Sequence, residues 1–290
     1  EQEEFAKWLA SDAEHARAWR QLGLLDQRFS VASGPARAAL LQSREGIRQR
    51  VRKLGSGLAS IALVCGLALF AGERYVPLHY WLADQRTATG EQRTLTLADG
   101  TQINLNTHSA IDVRFDEKRR LIVLQEGEIL VETGHNDARP FYVQTRDGSL
   151  RALGTRFIVK REDDATRLSV LQSAVGAQPE ALAQEQVFKE GQQVLMRSDG
   201  LGPALAVTPA TDAWTRGMLV VDNARLGDVV QELGRYRTGH LGVDKDVADL
   251  RITGSFPLHD TTLALNALLP TLPVQIEQHT PWWVTVTGKP

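Results

Sequence analysis

One pair of neighbouring residues in this chain has a reactive arrangement. Thr155 directly follows Gly154, so its hydroxyl could attack the Gly154 carbonyl and form an ester that water then cleaves. The reaction requires a conformationally permissive residue before the threonine and a strained turn that holds both. In the alternative interpretation, Gly154 is a β-bulge between strands and Thr155 is an ordinary strand residue. A Gly-Thr pair is common, so both interpretations stay open at this point.

Motifs of turnover enzymes are absent from the sequence. It contains no Gly-x-Ser-x-Gly, no His-Glu-x-x-His and no phosphate-binding loop. The single cysteine, Cys65, excludes a disulfide within the chain, and the seven histidines show no metal-ligand spacing. The net charge of -2 argues neither for nor against nucleic acid as a partner. We therefore expect a protein that is not an enzyme and that uses no metal or cofactor.

A stretch without charged residues, Leu54–Gly72, has about the length of a helix that crosses a bilayer, roughly 20 residues. Basic residues crowd its N-terminal side, namely Arg48, Arg50, Arg52 and Lys53. This bias predicts one membrane crossing with the N-terminal side in the cytoplasm. A cleaved signal peptide would start closer to the chain terminus. A buried core helix, the remaining alternative, would usually show a polar stripe.

The segment before this stretch, residues 1–53, is predicted to contain two helical parts, Glu3–Phe29 and the arginine-rich Ala36–Lys53, with a loop at Ser30–Pro35 between them. Ser11 and Glu14 have the spacing of a capping box. Apolar residues then recur on one face, and a second apolar cluster precedes them: Trp19, Leu22, Leu25 and Phe29, and Phe5, Trp8 and Leu9. So short a segment buries its own apolar surface poorly, so we expect it to belong to a larger bundle or to pack on a partner. The chain begins at Glu1 rather than Met, and we expect further residues upstream.

After the apolar stretch the hydrophobic pattern alternates with a period of two, which indicates strands. Thr94–Leu97 and Thr101–Leu105 flank the turn residues Asp99 and Gly100, as in a hairpin. Further predicted strands are 111–115, Arg120–Leu124, Glu128–Thr133, Phe141–Thr145, Leu150–Leu153, Arg156–Lys160, Leu168–Leu171 and Val194–Met196. Short strands without long helices predict an all-β sandwich or a solenoid-like stack over residues 85–205.

The last part of the chain, residues 214–290, mixes strands and helices. Strands are predicted at Met218–Val221, Leu250–Phe256, Val274–Glu277 and Trp283–Val286. One helix buries Leu226, Val229, Val230 and Leu233, and a second, capped by Asp260, carries Leu263, Ala267 and Leu268. We interpret this part as a small α+β domain of order β-α-β-β-α-β.

Several motifs in this order resemble those of FecR-like regulators. They are Leu97-Ala98-Asp99-Gly100-Thr101, Arg139-Pro140-Phe141, Leu153-Gly154-Thr155-Arg156-Phe157, Gly191-Gln192 and Trp214-x-x-Gly217. The N-terminal Phe5-x-x-Trp8-Leu9, with His15 and Ala18-Trp19, resembles the cytoplasmic anti-sigma domain of that family. The last part resembles the short N-terminal domain of secretins and TonB-dependent receptors. Ser173 departs from the pattern, because many members carry glycine there.

The resemblance implies a multi-domain membrane protein. Its expected parts are a short all-α cytoplasmic segment (1–53), one transmembrane helix (54–72), an all-β periplasmic FecR-like domain (85–205) and a C-terminal α+β signalling domain (214–290). The protein is then expected in the inner membrane as a single-pass protein, with its N-terminus in the cytoplasm and both C-terminal domains in the periplasm.

The resemblance also implies partners. Phe5, Trp8, Leu9, Trp19 and Leu22 are expected to bind an extracytoplasmic-function sigma factor. The periplasmic end is expected to contact the signalling domain of a TonB-dependent siderophore or haem receptor. Envelope and intramembrane proteases would release the regulator, some members cleave themselves at the Gly-Thr pair, and no direct contact with nucleic acid is expected. The alternative is a cell-envelope assembly or anchoring protein with a secretin-like periplasmic module.

Overall fold

The computed structural model of the chain describes residues 78–134 and 137–289. Two groups of predictions lie outside the described residues. They are the N-terminal helical segment with its sigma-factor-binding residues, and the stretch Leu54–Gly72 with its basic flank. Within the described ranges, none of the helices combines the length and the apolar character that a membrane crossing requires.

The first half of the described chain is built almost entirely of strands. A short helix, α1 (Leu78–Leu82), precedes them. The strands are β1 (Gln85–Arg86), β2 (Arg93–Thr96), β3 (Gln102–Leu105), β4 (Ala110–Phe115), β5 (Arg120–Glu126), β6 (Glu128–Glu132), β7 (Phe141–Thr145), β8 (Gly148–Ala152), β9 (Arg156–Arg161), β10 (Thr166–Gln172), β11 (Ala174–Pro179), β12 (Gln186–Lys189), β13 (Gln192–Arg197), β14 (Gly200–Leu201) and β15 (Leu205–Ala206). We call this part the β domain.

Two sheets face each other in the β domain. One has the order β1-β4-β5-β7-β8-β11-β12, and the other has the order β14-β13-β10-β9-β6-β3-β2, with β15 paired to β13. Their inner faces share one apolar core, as in a sandwich. The chain also alternates between the sheets, mostly two strands at a time, as in a solenoid. Both expected arrangements are therefore partly present, and the all-β prediction is confirmed for this part.

The second half of the described chain forms a smaller α+β module, which we call the C-terminal module. It begins after a single 3₁₀ turn (Ala213–Arg216). Its elements are β16 (Met218–Arg225), α2 (Leu226–Gly234), β17 (His240–Val243), β18 (Arg251–Pro257), α3 (Thr261–Asn266), β19 (Val274–Thr280) and β20 (Trp283–Gly288). β16 pairs with β18, and β20 lies between β17 and β19. The order is β-α-β-β-α-β-β, so it has one strand more than expected.

The helices of this module follow their predicted signals in part. The apolar face of α2 is fully buried, and the Asp260 carboxylate accepts a hydrogen bond from Leu263 N at the start of α3. α3 ends at Asn266, however, so Ala267 and Leu268 follow the helix instead of lying in it. The backbone tightens after Asn266, because Leu268 N and Leu269 N donate to the carbonyls three residues before them, those of Leu265 and Asn266.

The C-terminal module packs on the outer face of the eight-stranded sheet. Strand alternation sends Ile129 and Val131 of β6 into the sandwich core and Leu130 to the opposite side. Ile158 of β9 points the same way as Leu130, and both join the core of the C-terminal module. Residues 77–290 consequently form one compact unit with two apolar cores.

Candidate functional site

Charged side chains line the junction between the β domain and the C-terminal module. Glu128 begins β6 and lies opposite Lys160 of β9 in the strand register. Glu232 lies in the last turn of α2, and Arg235 and Tyr236 follow directly after that helix. Because α2 lies against the outer face of the eight-stranded sheet, these groups from distant parts of the chain meet.

The four ionised groups of the junction alternate in sign. Arg235 Nη1 donates to Glu128 Oε2 at 3.0 Å and to Glu232 Oε1 at 2.5 Å. Lys160 Nζ donates to Glu232 Oε2 at 2.9 Å. The Glu128 side chain is only 8% exposed, and those of Arg235 and Glu232 are about a quarter exposed. We call this chain of contacts the junction network.

Burial and mutual attraction act against each other on these groups. Burial pushes the pKa of Glu232 upward, but Lys160 and Arg235 outweigh it and hold the pKa below its ordinary value. Burial likewise works to lower the pKa of Arg235, yet Glu232 and Glu128 raise it above its ordinary value. Glu232 and Arg235 therefore stay ionised near neutral pH, and each of these two charges depends on its neighbours for compensation.

A second set of hydrogen bonds at the junction converges on Asn106. Its Oδ1 accepts from Tyr236 OH at 2.8 Å and from Gln92 Nε2 at 3.0 Å, while its Nδ2 donates to Glu128 Oε2 at 3.0 Å. Gln92 Nε2 also donates to the carbonyl of Trp214 at 2.9 Å. Burial, helped by nearby Glu128, raises the pKa of Tyr236, so the phenol remains a donor. The Trp214 motif thus anchors the start of the C-terminal module.

These contacts have a structural role, since they hold two parts of the chain together. None of the described junction groups is arranged as a nucleophile next to a base. They fix α2 relative to β6 and β9 through partly buried charges. Any displacement of α2 must separate Arg235 from Glu128, which leaves at least one charge uncompensated away from water. The junction therefore couples the position of the C-terminal module to the β domain.

The Gly154-Thr155 pair lies where the chain passes from one sheet to the other, between β8 and β9. Gly154 is exposed and has a φ of +73°, a left-handed conformation that favours glycine. A Cβ at this position would meet no other atom within 4 Å, so backbone conformation alone accounts for the glycine. The residue belongs to the turn between two strands, and Thr155 comes just before β9.

The backbone of Thr155 is hydrogen-bonded, whereas its side-chain hydroxyl has no partner among the described residues. Its N–H donates to Thr133 Oγ1 at 2.9 Å, and its carbonyl accepts from Thr133 N at 3.1 Å. The residue is 4% exposed, yet Thr155 Oγ1 has no hydrogen-bond partner within the described ranges. A candidate nucleophile therefore follows a glycine in a left-handed conformation, and among the described residues no base is in hydrogen-bond contact with its hydroxyl.

Two other motifs meet at a buried ion pair. Asp99 Oδ2 accepts from Arg120 Nη1 at 2.7 Å and from Thr101 Oγ1 at 2.6 Å. Arg120 Nε donates to the carbonyl of Arg139 at 2.9 Å, and its guanidinium lies 5.4 Å from the centre of the Phe141 ring. The Leu97–Thr101 motif and the Arg139–Phe141 motif therefore meet at Arg120, and their contacts hold the β2–β3 turn against β5 and β7.

The predicted sigma-factor-binding residues lie outside the described residues, so the structure brings together only Gly154 and Thr155 of the predicted site. Sequence reasoning missed the junction network. Its members belong to strands and a helix up to 107 positions apart. One local signal existed, the spacing of Glu232 and Arg235, which places both on one face at the end of α2.

The fold and the junction define a two-part, β-rich protein in which an α+β module is docked on a β domain. Residues 83–176 match the family model described as FecR protein, so this chain carries a FecR domain and the resemblance to FecR-like regulators is confirmed. Residues 1–25 match a domain of unknown function, DUF4880. None of the curated proteins matches the chain significantly.

Two crystal structures from Parabacteroides distasonis share this fold. Both belong to proteins assigned provisionally as anti-sigma factors, one at 2.50 Å and one at 1.65 Å resolution. The first matches with a TM-score of 0.58 and 22% identity, over 71% of this chain and 98% of the other. The second matches with a TM-score of 0.59 and 22% identity, over 71% and 99%. At this identity the match establishes the fold alone.

Proposed function

We propose that this protein is an anti-sigma factor, a transmembrane regulator of an extracytoplasmic-function sigma factor. The observation that carries the proposal is the FecR domain at residues 83–176. Two features of the sequence agree with it: an aromatic N-terminal segment that matches a separate domain family, and the uncharged stretch between that segment and the FecR domain. In this arrangement residues 1–53 bind the sigma factor in the cytoplasm, and Leu54–Gly72 crosses the inner membrane.

The signal enters at the other end of the molecule. The C-terminal module contacts the signalling domain of a TonB-dependent siderophore or haem receptor in the periplasm. The junction network gives this contact a route to the β domain, because a partner that shifts α2 also shifts Arg235 and Glu232. Envelope and intramembrane proteases then release the cytoplasmic segment.

Affinity capture from membranes tests sigma-factor binding. The full chain as bait should retain a sigma factor, identified by mass spectrometry. Trp19→Ala should reduce the retained amount, because a buried aromatic anchor at an interface often contributes about 2 kcal/mol or more. Trp282→Ala removes an exposed tryptophan of the C-terminal module and is the matched control.

Two results would contradict this proposal. If no sigma factor is retained, the anti-sigma function is wrong and the envelope-anchoring alternative gains support. If both tryptophan variants retain equal amounts, the aromatic N-terminal face is not the binding surface. Circular dichroism must show equal helicity, so that weaker retention is not caused by unfolding of the N-terminal segment.

Protease protection tests the topology. Protease added to spheroplasts should digest residues 75–290 and spare residues 1–53, because the lysine and arginine bias places the N-terminal side inside. Terminal tags on the full chain report which part survives. Protection of the C-terminal part and digestion of the N-terminal part would exclude the proposed orientation.

The proposal includes a single-turnover cleavage between Gly154 and Thr155. The Thr155 hydroxyl attacks the Gly154 carbonyl carbon, the amide nitrogen leaves as the free amine of Thr155, and the resulting ester takes up one water molecule. The left-handed backbone at Gly154 and the idle, buried hydroxyl support this step. Because β8 pairs with β11 and β9 pairs with β6, strand pairs across the break hold the two fragments together.

A further inference from the structure

The outer edge of β19 is open. Within the described ranges, β19 pairs only with β20. Lys289 N donates to the carbonyl of Pro273, and the register places Gln275 opposite Thr287. In an antiparallel pair the bonded positions alternate, so Gln275 and Glu277 bond to β20. The backbone groups of Ile276 and Gln278 therefore point away from the sheet.

A cavity runs beside this edge, between α3 and the inner face of the three-stranded sheet. Its volume is about 450 Å³. Apolar side chains from the helix and both strands line it, including Leu265, Leu269, Ile276 and Val284. Side chains of a strand alternate between the two faces of a sheet. A strand added to this edge would therefore direct every second side chain into the cavity.

The charged side chains that line the cavity are of one sign. The ionisable side chains that line it are Arg237 and Lys289, and no carboxylate lies among the lining residues. Arg237 Nη2 donates to the carbonyl of Pro281 at 3.3 Å, but its Nε is buried and has no acceptor in the part of the chain that the structure describes. Leaving a buried donor of a charged group without an acceptor is costly. Arg237 also lines the cavity, so a carboxylate that enters the cavity would compensate its positive charge.

We propose that the open edge of β19 binds an extended, acidic peptide segment of a partner protein by strand addition. Backbone groups of the segment pair with Ile276 and Gln278, alternate apolar side chains enter the cavity, and a carboxylate binds Arg237. This inference rests on the proposed function in one respect: the partner is taken to be a protein that signals to the C-terminal module.

A display library of random linear peptides of seven residues, the length of β19, serves as the probe against the full chain. Enriched peptides should carry apolar residues at alternate positions and at least one Asp or Glu. Arg237→Gln should weaken their binding about tenfold, as expected for a lost charge-assisted hydrogen bond. Lys245→Gln removes an exposed charge outside the cavity and should leave binding unchanged.

A proline variant tests the strand geometry itself. Gln278→Pro removes an outward N–H without touching the bonds to β20, so it should weaken binding by a similar factor of about ten. Gln278→Ala retains the N–H and should bind like the parent. Because no sigma factor takes part, the experiment is independent of the capture experiment, and either proposal can fail alone.

Three outcomes would overturn the strand-addition proposal. One is the absence of any enriched peptide. Another is equal binding of the enriched peptides to Gln278→Pro and Gln278→Ala. The third is a dimer of the full chain, seen by analytical ultracentrifugation, that Gln278→Pro dissociates. That last result would assign the open edge to a second copy of this chain.

Discussion

The hydroxyl of Thr155 is buried without a hydrogen-bond partner among the described residues, which carries a free-energy cost. A buried polar group in this state costs about 1–3 kcal/mol. Valine has the shape of threonine without the hydroxyl, so Thr155→Val should raise the free energy of unfolding by about 1 kcal/mol. Urea unfolding measures the change, and an unchanged or lower stability would show that the hydroxyl has a partner in solution.

Substitution of Thr155 also tests the proposed self-cleavage. Intact mass of the purified full chain, after prolonged incubation at neutral pH, should show two fragments that separate between Gly154 and Thr155. Thr155→Val should remain a single species because it lacks the nucleophile, and Thr155→Ser should retain some cleavage. A parent chain that stays intact would leave Thr155 as a structural residue.

At the scale of elements, the ion pair of Asp99 and Arg120 holds the β2–β3 turn in place. The two side chains are 1% and 7% exposed, respectively. Burial works to raise the pKa of Asp99, but hydrogen bonds from Thr101 and Arg120 outweigh it and hold the pKa below 3.8. Asp99→Asn should therefore lower the free energy of unfolding near neutral pH by about 3 kcal/mol, because Arg120 remains buried without a counter-ion.

The pH dependence of this pair has a definite sign. A folded-state pKa below the unfolded value gives stability that is complete above pH 3.8 and is lost as the pH falls through the folded pKa. The difference between parent and Asp99→Asn should hence shrink below pH 3.8 in urea unfolding. Asp164→Asn is the control, because that side chain is 74% exposed in its pair with Arg197. A difference that does not change with pH would rule out the ion pair as its source.

Most strands could be predicted because one face of each is buried and the residues alternate accordingly. β6 and β9 are examples, since their apolar residues alternate between two cores. β11 was missed because Gly176 and Pro179 have low strand propensity, and pairing with β8 and β12 imposes the conformation. Ser173, where many FecR-like members carry glycine, has a φ of +67°, a conformation in which glycine would be unstrained.

The junction network could not be predicted from the sequence, because its parts look like ordinary surface charges. Glu128 and Lys160 lie on the solvent side of their strands until the C-terminal module covers them. The docking depends on Leu130 and Ile158, which add a small apolar patch to the outer face of a sheet. Two residues are too few to produce a recognisable hydrophobic periodicity in the sequence. The contact between the two parts is therefore visible only in the folded structure.

At the scale of the whole molecule, the junction network predicts that the β domain and the C-terminal module unfold together in one cooperative transition. A single substitution in the network should separate this transition into two. Arg235→Gln leaves Glu128 without its cation, and Arg235 is 24% exposed. The expected loss is therefore about 3 kcal/mol, the lower end of the cost for removing one partner of a buried pair. Because the loss falls on the contact between two separate cores, calorimetry should resolve one transition for the C-terminal module and another for the β domain.

The matched control for this experiment is Arg225→Gln at the end of β16. Arg225 pairs with Asp249 at 2.5 Å, but the two side chains are 47% and 79% exposed. An exposed pair contributes about 1 kcal/mol or less, so this variant should keep one transition close to the parent midpoint. If Arg235→Gln also unfolds in one transition at the parent midpoint, the junction network does not couple the C-terminal module to the β domain. The two parts would then be held together by their other contacts, namely the hydrogen bonds that converge on Asn106 and the apolar contacts of Leu130 and Ile158.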